Sequence, residues 1–576
     1  MQNDIQNIDT PHSGISKKAL TAVSLFLIGF AYALVGLYSL GQHPYLGETD
    51  TSFFIEYVMK IKEQGGPLDF VASLFMGKFT PGNQHPLYPF IISLFYSKSI
   101  AYFLQIKLLN FFLGLAFLYL FYFLVKKEAG SLAASIAACL LIANDTFMHQ
   151  TTMVSCETLL VIFTTLSFYL IIRGLDDNRV WIPAGLCVGL AHLTKGSGMF
   201  IPFGFLLFLL FDVKFRFWKL FKNKYLWLFA LMFMVGALPL LVRNTIVYKF
   251  PFYNYNVTYF AMDQDWGKAE KKAEFSDVFK KKPTELAGRF IKGTAREFRI
   301  LLHSLYSFSL HYVPKLQNDT SPWYAKAMGA VAAGLMFLSA AAGFITSQCG
   351  RRKKALILFL VIGFYLPLSW YSITAPNRRY ILPVTILFIF FAALFCAQVL
   401  RRAVSEQRWV FKKFSDSARS LFPGIALASM LLLFVAIYPA ARAIPHPMKT
   451  YAYEDGYLEL ADYLMKNLKP GEKYLKKGEH NYSWVILYPE LDAKRDGMKY
   501  FKDINAFTGY MQEHKNIAYY LLDQEGFRMT KNIFDKSYIN LDPQHGFVLV
   551  KNIPGFTAVM QDTMLPSDYI LFKRNE

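Results

Sequence analysis

Apolar runs of roughly 17–25 residues recur along this chain, and that length is what a helix needs to span the hydrocarbon core of a bilayer. Of the 576 residues, 54% are hydrophobic and 18% are charged. A soluble protein of this size carries about a quarter charged residues. The runs and the composition together predict a polytopic α-helical membrane protein.

The apolar runs predict about eleven transmembrane helices. The predicted spans are residues 19–40, 100–125, 130–148, 154–173, 180–194, 197–211, 225–243, 325–347, 355–371, 380–400 and 421–441. The first span lacks a convincing small-residue cleavage site, so we expect a membrane anchor and not a signal peptide. A further apolar piece, residues 86–98, is too short to cross alone and is predicted to be re-entrant, interfacial or the start of a tilted helix.

Basic residues set the predicted orientation. With the N-terminus in the cytoplasm, each inner loop carries at least two Lys or Arg residues, whereas the short outer turns carry few. The outer face then holds a loop at residues 41–98, a loop at 244–324 and the C-terminal segment. Within the second loop, residues 283–308 have amphipathic spacing and many basic residues, which predicts a juxtamembrane helix lying on the outer membrane surface.

Two domains follow from this division. Residues 1–441 are predicted to form the transmembrane domain, with its outer loops, and residues 442–576 a small extracytoplasmic α/β domain. Residues 456–475 show helical apolar spacing up to a Pro-Gly stop. Short strand patterns follow at residues 517–524, 546–553 and 568–576.

The formal net charge of +20 does not indicate nucleic-acid binding. Most basic residues lie in short loops between spans, and no recognition motif accompanies them. The five cysteines show no CxxC spacing, so neither a zinc site nor a disulfide framework is predicted. We expect an integral membrane protein, most simply of a bacterial inner (plasma) membrane.

Two carboxylates, Glu48 and Asp50, lie just beyond the first span on the predicted outer face. A carboxylate near the bilayer surface can act as a general base when partial desolvation raises its pKa. Taken alone, the two residues are better explained as groups that solvate a helix end.

Other polar side chains are predicted to reach the same face from different turns. They are His85, Asp145, His149, Glu157, His192, Lys195, Arg243, Asn244, Arg378, Arg379 and Tyr380. Glu157 lies inside the start of a span, where a carboxylate is costly and is usually paired or functional. Singly, Lys195 is explained by a side chain reaching the interface, and His85 and His192 by structural roles. Together they predict an outer-face site.

The order of these segments resembles a known family. The acidic loop is followed by "HPLYPFIISLFY" (85–96), "ETLLVIFTTLSFYL" (157–170), "GLAHLTKGSGMFIP" (189–202), "LPLLVRNTIVYKFPFYN" (238–254) and "RRYILP" (378–383). This order is similar to that of the GT-C glycosyltransferases, in the branch that contains protein O-mannosyltransferases and the lipid A aminoarabinose transferase. The resemblance covers most of residues 19–400 and implies a GT-C-like fold.

The resemblance also implies roles for individual residues. Asp50 matches the family's catalytic Asp in the first outer loop, although the usual Asp-Glu pair is here "ETDT" (48–51), so the share of Glu48 in catalysis stays open. Basic positions expected near the donor phosphate are matched by Lys195, Arg243, Arg378 and Arg379. The remaining candidates, His85, Asp145, Glu157, Asn244 and Tyr380, are assigned to substrate binding.

The implied reaction moves a sugar from a polyprenyl-phosphate-linked donor to a lipid, glycan or protein acceptor. Arg and Lys side chains stabilise the leaving phosphate without proton transfer, and one carboxylate deprotonates the acceptor in a single inverting displacement. No cofactor is implied with certainty. A divalent cation held by Glu48, Asp50 and Glu157 stays open, because no fixed ligand spacing supports a metal site.

Three other functions fit parts of the sequence. A secondary transporter or lipid flippase needs ionisable groups near mid-membrane, whereas these charges lie at span ends on one side. A non-catalytic assembly or sensor protein would bind its ligand in residues 442–576. A lipid-linked glycan ligase would use the same chemistry as the transferase.

Overall fold

A computed structural model of the protein describes part of the chain. The described residues are 17–42, 50–81, 85–99, 101–214, 216, 218–254, 280–305, 323–374, 377–406, 460–476, 490–491, 494–497, 504–522, 547–553 and 569–574. The predicted span 421–441, the predicted domain boundary near residue 441 and Glu48 lie outside them. The chain divides into two compact units, the first formed by residues 1–41, 61–94 and 106–444 and the second by residues 42–60, 95–105 and 445–576.

Helices follow the apolar runs. They are α1 (Lys17–Gln42), α2 (Thr51–Glu63), α3 (Pro67–Phe75), α4 (Leu87–Ser93), α5 (Ala101–Ala129), α6 (Ser131–Ile142), α7 (Asp145–Thr152), α8 (Glu157–Arg173), α9 (Trp181–Thr194), α10 (Phe200–Asp212), α11 (Trp218–Phe221), α12 (Lys224–Tyr248), α13 (Pro283–Leu305), α14 (Trp323–Thr346), α15 (Arg351–Tyr371) and α16 (Leu382–Glu406). Short 3-10 helices lie at Asn178–Val180, Gly196–Met199 and Arg378–Ile381. Every predicted span within the described residues therefore contains a helix.

Not all of these helices are long enough to cross a bilayer alone. By length and hydropathy, five described helices qualify, or six if the bent pair α6 and α7 is one span. Helices α8, α9 and α10 have 17, 14 and 13 residues, short of the roughly 20 that a perpendicular span needs.

The predicted single span at residues 130–148 is wrong in one respect. Its helix breaks after Ile142, and α6 and α7 meet at an angle of 67°. Asn144 causes the break, because its side-chain oxygen accepts the Phe147 N–H at 2.9 Å and starts a new helix in a new direction. The start of α7 is therefore turned away from the axis of α6.

Glycines let helices α9 and α12 approach each other closely. A Cβ atom added to Gly189 of α9 would lie 2.5 Å from the Phe233 carbonyl oxygen of α12, and one added to Gly185 would lie 2.2 Å from the Phe229 carbonyl oxygen. Only glycine permits such contact between helix backbones. The close packing brings Lys195, which follows α9, to the same region as Arg243 near the end of α12.

The second unit contains a five-stranded mixed sheet with strand order β2-β1-β3-β5-β4. Its strands are β1 (Lys473–Lys476), β2 (Arg495–Gly497), β3 (Ile517–Leu522), β4 (Phe547–Ile553) and β5 (Tyr569–Arg574). Strands β1, β2 and β3 pair in parallel, and β5 pairs antiparallel with β3 and β4. Helical residues 460–467 bury Leu460 and Leu464 in a core with Tyr474, Tyr519 and Leu571. The strands predicted near residues 517–524, 546–553 and 568–576 are confirmed.

Candidate active site

A buried carboxylate organises the polar end of the first unit. Glu157 is the first residue of α8 and its side chain is only 1% exposed. Its Oε1 atom pairs with the Lys195 ammonium, and Arg379 Nε lies 3.6 Å from the same oxygen. The backbone N–H of Glu157 donates to Ser155 Oγ at 3.2 Å. One carboxylate therefore holds two cations that come from distant parts of the sequence.

Lys195 lies where the chain turns from α9 into the next 3-10 helix. Its ammonium is 4.6 Å from the centre of the Tyr380 ring, and the Arg379 guanidinium is 5.2 Å from that ring. Both are within the distance at which an aromatic ring attracts a cation. Burial acts to lower the pKa of Lys195, but the Glu157 charge leads the opposing effects and the net shift is upward. Lys195 therefore stays charged at neutral pH.

A second ion pair involves Arg378, the residue that precedes Arg379 in the sequence. Arg378 forms an ion pair with Asp145, in which an Nη atom lies 2.8 Å from Asp145 Oδ2. Asp145 is the first residue of the bent helix α7 and is 4% exposed, whereas the Arg378 side chain is 19% exposed. The helix break at Asn144 thus supplies the carboxylate that anchors this arginine.

Arg243 and Asn244 close the end of α12. Arg243 Nε donates to Asn244 Oδ1 at 3.0 Å, and an Nη atom donates to the Pro81 carbonyl. Asn244 Nδ2 donates to the carbonyls of Pro251 and Tyr253 at 3.1 and 3.0 Å. The Asn244 side chain therefore fixes the segment that follows α12, and it also orients the buried Arg243 guanidinium.

His85 lies next to these cations. Its Nδ1 atom is 2.6 Å from the His192 carbonyl oxygen, and the two imidazole rings meet edge to face at 5.2 Å. Burial, the His192 ring and the charges of Arg243 and Lys195 lower the pKa of His85 well below 6.5, although the bond to the His192 carbonyl opposes this. His85 is therefore neutral at pH 7.

The charges of the site do not cancel. Four of its predicted residues are cations, Lys195, Arg243, Arg378 and Arg379, and two are buried carboxylates, Asp145 and Glu157. Four positive minus two negative charges leave a net charge of +2 among these six side chains. A low-dielectric site of that charge attracts a phosphate group.

The structure describes Asp50, one of the two predicted catalytic carboxylates. Asp50 belongs to the second unit, directly before α2, and its carbonyl accepts the Phe54 N–H at 3.1 Å. Glu48 lies outside the described residues. The assignment of Asp50 as the base therefore stays a prediction. Within the described part of the chain there is no group of three or more His, Cys, Asp or Glu side chains that could hold a metal ion.

Sequence reasoning missed Asn110, which supports the site from α5. Asn110 is fully buried, and its Nδ2 atom lies within hydrogen-bond distance of the hydroxyl of Tyr88 (3.0 Å) and the carbonyls of Met153 and Ser155 (2.5 and 2.9 Å). It fixes the turn between α7 and α8, from which Glu157 starts. A polar residue in the middle of an apolar run was the available signal.

Comparisons with known proteins agree with this architecture. Residues 82–242 match the family model described as dolichyl-phosphate-mannose-protein mannosyltransferase. The solved structure of ArnT from Cupriavidus metallidurans in the apo state has a TM-score of 0.51 and 13% sequence identity, with coverage of 96% of this chain and 98% of that chain. The chain has the GT-C fold. It is an integral membrane protein, and its predicted resemblance to the mannosyltransferase and ArnT branch is confirmed.

Two other solved structures are similar to this chain with lower TM-scores. ArnT from C. metallidurans bound to undecaprenyl phosphate has a TM-score of 0.47 at 12% identity, with 96% of each chain covered. The Archaeoglobus fulgidus oligosaccharyltransferase tethered with an acceptor peptide also has a TM-score of 0.47, at 15% identity, with 87% of this chain and 70% of that chain covered. No curated protein has a sequence that matches the chain.

Proposed function

We propose that this protein is a glycosyltransferase that moves a hexosyl or pentosyl group from a polyprenyl-phosphate-linked donor to a lipid, glycan or protein acceptor. The reaction takes place on the extracytoplasmic face of a bacterial inner membrane, with the N-terminus in the cytoplasm. The observation that carries the proposal is the net positive cluster of Lys195, Arg243, Arg378 and Arg379, three of which pair with buried Asp145 or Glu157, in a membrane protein of GT-C fold.

The phosphate role follows from how the cations are held. Glu157 and Asp145 are almost completely buried, whereas the side chains of Lys195 and Arg378 are each 19% exposed. Each of these two partly exposed cations is therefore held in place by a buried carboxylate. When the bond between sugar and phosphate breaks, charge develops on the phosphate oxygens, and preorganised cations stabilise it.

The proton transfer is assigned to Asp50. The leaving group is a phosphate, which departs without protonation, so the reaction needs one general base and no second carboxyl acid, unlike most glycosidases. Asp50 accepts the proton of the acceptor hydroxyl while the acceptor oxygen attacks the anomeric carbon from the side opposite the phosphate. A single displacement of this kind inverts the configuration at that carbon.

The test compares lipids retained by the purified wild-type protein, Asp50→Asn and the control Glu63→Gln. Glu63 is an exposed acid at the end of the helix that Asp50 precedes. Mass spectrometry is expected to find a polyprenyl-phosphate sugar enriched on Asp50→Asn, which binds the donor and cannot consume it. Transfer to acceptors in a membrane extract should be lost in Asp50→Asn and kept in Glu63→Gln.

Two results would count against the proposal. Full turnover by Asp50→Asn would remove Asp50 as the base. Folded protein that retains no polyprenyl-phosphate lipid in any of the three forms, even after membrane extract is added, would favour transport or assembly.

A further inference from the structure

His85 is a neutral imidazole near the cations of the candidate site, and its hydrogen bonding fixes which nitrogen carries the proton. Its Nδ1 atom lies 2.6 Å from the His192 carbonyl oxygen. A carbonyl oxygen can only accept a hydrogen bond, so Nδ1 must be the N–H donor. Because the ring is neutral, Nε2 then carries a lone pair and no hydrogen.

The surroundings keep the ring in this form. Arg243 and Lys195 lie close enough to act on the charge of His85, and both oppose a second proton on the ring. The His192 carbonyl is the only hydrogen-bond partner of His85 within the described residues. Nε2 is therefore an acceptor that lies among cations and is not used by the described fold.

A glycine borders this acceptor. A Cβ atom added to Gly196 would lie 3.3 Å from His85 Nε2 and 2.3 Å from Asn254 Nδ2. Any larger residue would push the Asn254 amide away and crowd Nε2. Gly196 follows Lys195 directly, so the His85 acceptor lies beside the turn that carries Lys195.

We propose that His85 Nε2 accepts a hydrogen bond from a hydroxyl group of the donor's sugar. The inference rests on the proposed function, because it takes the neighbouring cations to bind the donor phosphate. A bare nitrogen lone pair repels phosphate oxygens, and an ammonium group is disfavoured beside Lys195 and Arg243. A neutral O–H group remains, and the sugar is the part of the donor attached to the phosphate.

Two substitutions separate the roles of the two ring nitrogens. His85→Asn keeps an N–H group at the position of Nδ1, where it can donate to the His192 carbonyl, and removes the acceptor at Nε2. His85→Gln places an amide near the position of Nε2 and can supply the acceptor oxygen. His85→Asn should therefore fold, and thermal unfolding checks the folding of both variants.

The probes are undecaprenyl phosphate, which has no sugar, and undecaprenyl-phosphate mannose, in binding titrations with detergent-purified protein. His85→Asn is expected to bind undecaprenyl-phosphate mannose about five- to tenfold more weakly than wild type, the effect of one lost hydrogen bond, and undecaprenyl phosphate within about twofold. His85→Gln should recover part of the loss for the sugar lipid.

Each other result overturns a defined part of the argument. An equal loss for both lipids would make His85 a phosphate ligand, and no loss for either would make it structural. Wild-type protein that binds neither lipid would contradict the proposed function itself, and the inference would fall with it. Nitrogen NMR of histidine-labelled protein gives an independent check, since a hydrogen on Nε2 of His85 at pH 7 would exclude the proposal.

Discussion

Arg379 Nε lies 3.6 Å from Glu157 Oε1, the oxygen that also pairs with the Lys195 ammonium. The stability of the protein should therefore depend on this buried carboxylate, which balances the charges of two buried or half-buried cations. Removing the carboxylate leaves two positive charges in a low-dielectric environment without compensation, and removing one partner of a buried pair typically costs about 3–5 kcal/mol.

Glu157→Gln is therefore expected to lower the free energy of unfolding by about 3–5 kcal/mol and to abolish transfer. Thermal unfolding and a transfer assay measure the two effects. The matched control is Asp212→Asn, which breaks an ion pair with Arg352 at 2.8 Å whose arginine is 54% exposed. Exposed pairs contribute about 0–1 kcal/mol, so this control should change stability little and leave transfer unchanged.

A double variant tests whether the stability lost in Glu157→Gln is caused by uncompensated charge or by the changed shape of the side chain. Glu157→Gln combined with Lys195→Met removes one negative and one positive charge, and should regain part of the lost stability without regaining transfer. Equal stability of Glu157→Gln and Asp212→Asn would contradict the assignment of Glu157 as the anchor of the cluster.

Asn110→Ala should lower stability and lipid binding although it removes no charged group. The substitution leaves the Met153 and Ser155 carbonyls without their buried donor, at a cost of about 1–3 kcal/mol. Because the turn leads into Glu157, retention of undecaprenyl phosphate should also fall. Asn467→Ala, at an exposed asparagine that donates to the Tyr463 carbonyl, is the control and should change the unfolding free energy by less than about 0.5 kcal/mol. Unchanged lipid retention in Asn110→Ala would remove it as a positioning residue.

The helices could be predicted from the sequence because a bilayer span imposes a length and an apolar composition on each segment. The bend at Asn144 could not, because it depends on one side-chain hydrogen bond to Phe147 and not on the average hydropathy of the run. Strands β3, β4 and β5 have alternating or continuous apolar patterns. Strands β1 and β2 have 4 and 3 residues, too few to show a period.

The residues of the site could be predicted from the sequence, but the ion pairs that they form could not. Charges at span ends on one side indicate a common face, so the sequence predicts that Lys195, Arg378 and Glu157 lie together. Which carboxylate binds which cation depends on how α8, α9 and the turn before α16 pack, and no local pattern encodes that. The tautomer of His85 is hidden for the same reason, since its partner is a backbone carbonyl 107 residues away.

Glu297 should make the stability of α13 depend on pH. This side chain is buried, its Oε1 atom has no hydrogen-bond partner among the described residues, and burial raises its pKa from 4.5 to about 8. The folded state therefore holds a proton that the unfolded state releases at pH 4.5. The resulting stabilisation is complete below pH 4.5 and is lost as the pH rises to about 8.

Glu297→Gln mimics the protonated acid at every pH. Its melting temperature should equal that of wild type near pH 4.5 and exceed it increasingly towards pH 8. The difference should reach several degrees, because each kcal/mol of stability changes the melting temperature by about 2–4 °C. Melting curves of both proteins across this range measure the difference. A difference that does not change with pH would show that Glu297 is ionised in the folded protein.

Two glycines of α13 provide the last prediction, because they differ in surroundings and share a helix. A Cβ atom added to Gly293 would lie 1.9 Å from the Ser369 carbonyl oxygen of α15, whereas one added to Gly288 would meet nothing within 4 Å. Gly293→Ala must separate two helix backbones, which typically costs about 1–3 kcal/mol. Gly288→Ala removes only the backbone freedom of glycine and should stabilise the protein by up to about 1 kcal/mol.

The two substitutions add the same methyl group, so propensity alone would give them the same sign. Opposite signs in thermal unfolding are expected, because contact with α15 decides the effect at Gly293. Since Ser372 Oγ also donates to the Gly293 carbonyl at 3.2 Å, the displaced helix should lose that bond as well. Stabilisation by both substitutions would mean that α13 does not pack against α15 at this point.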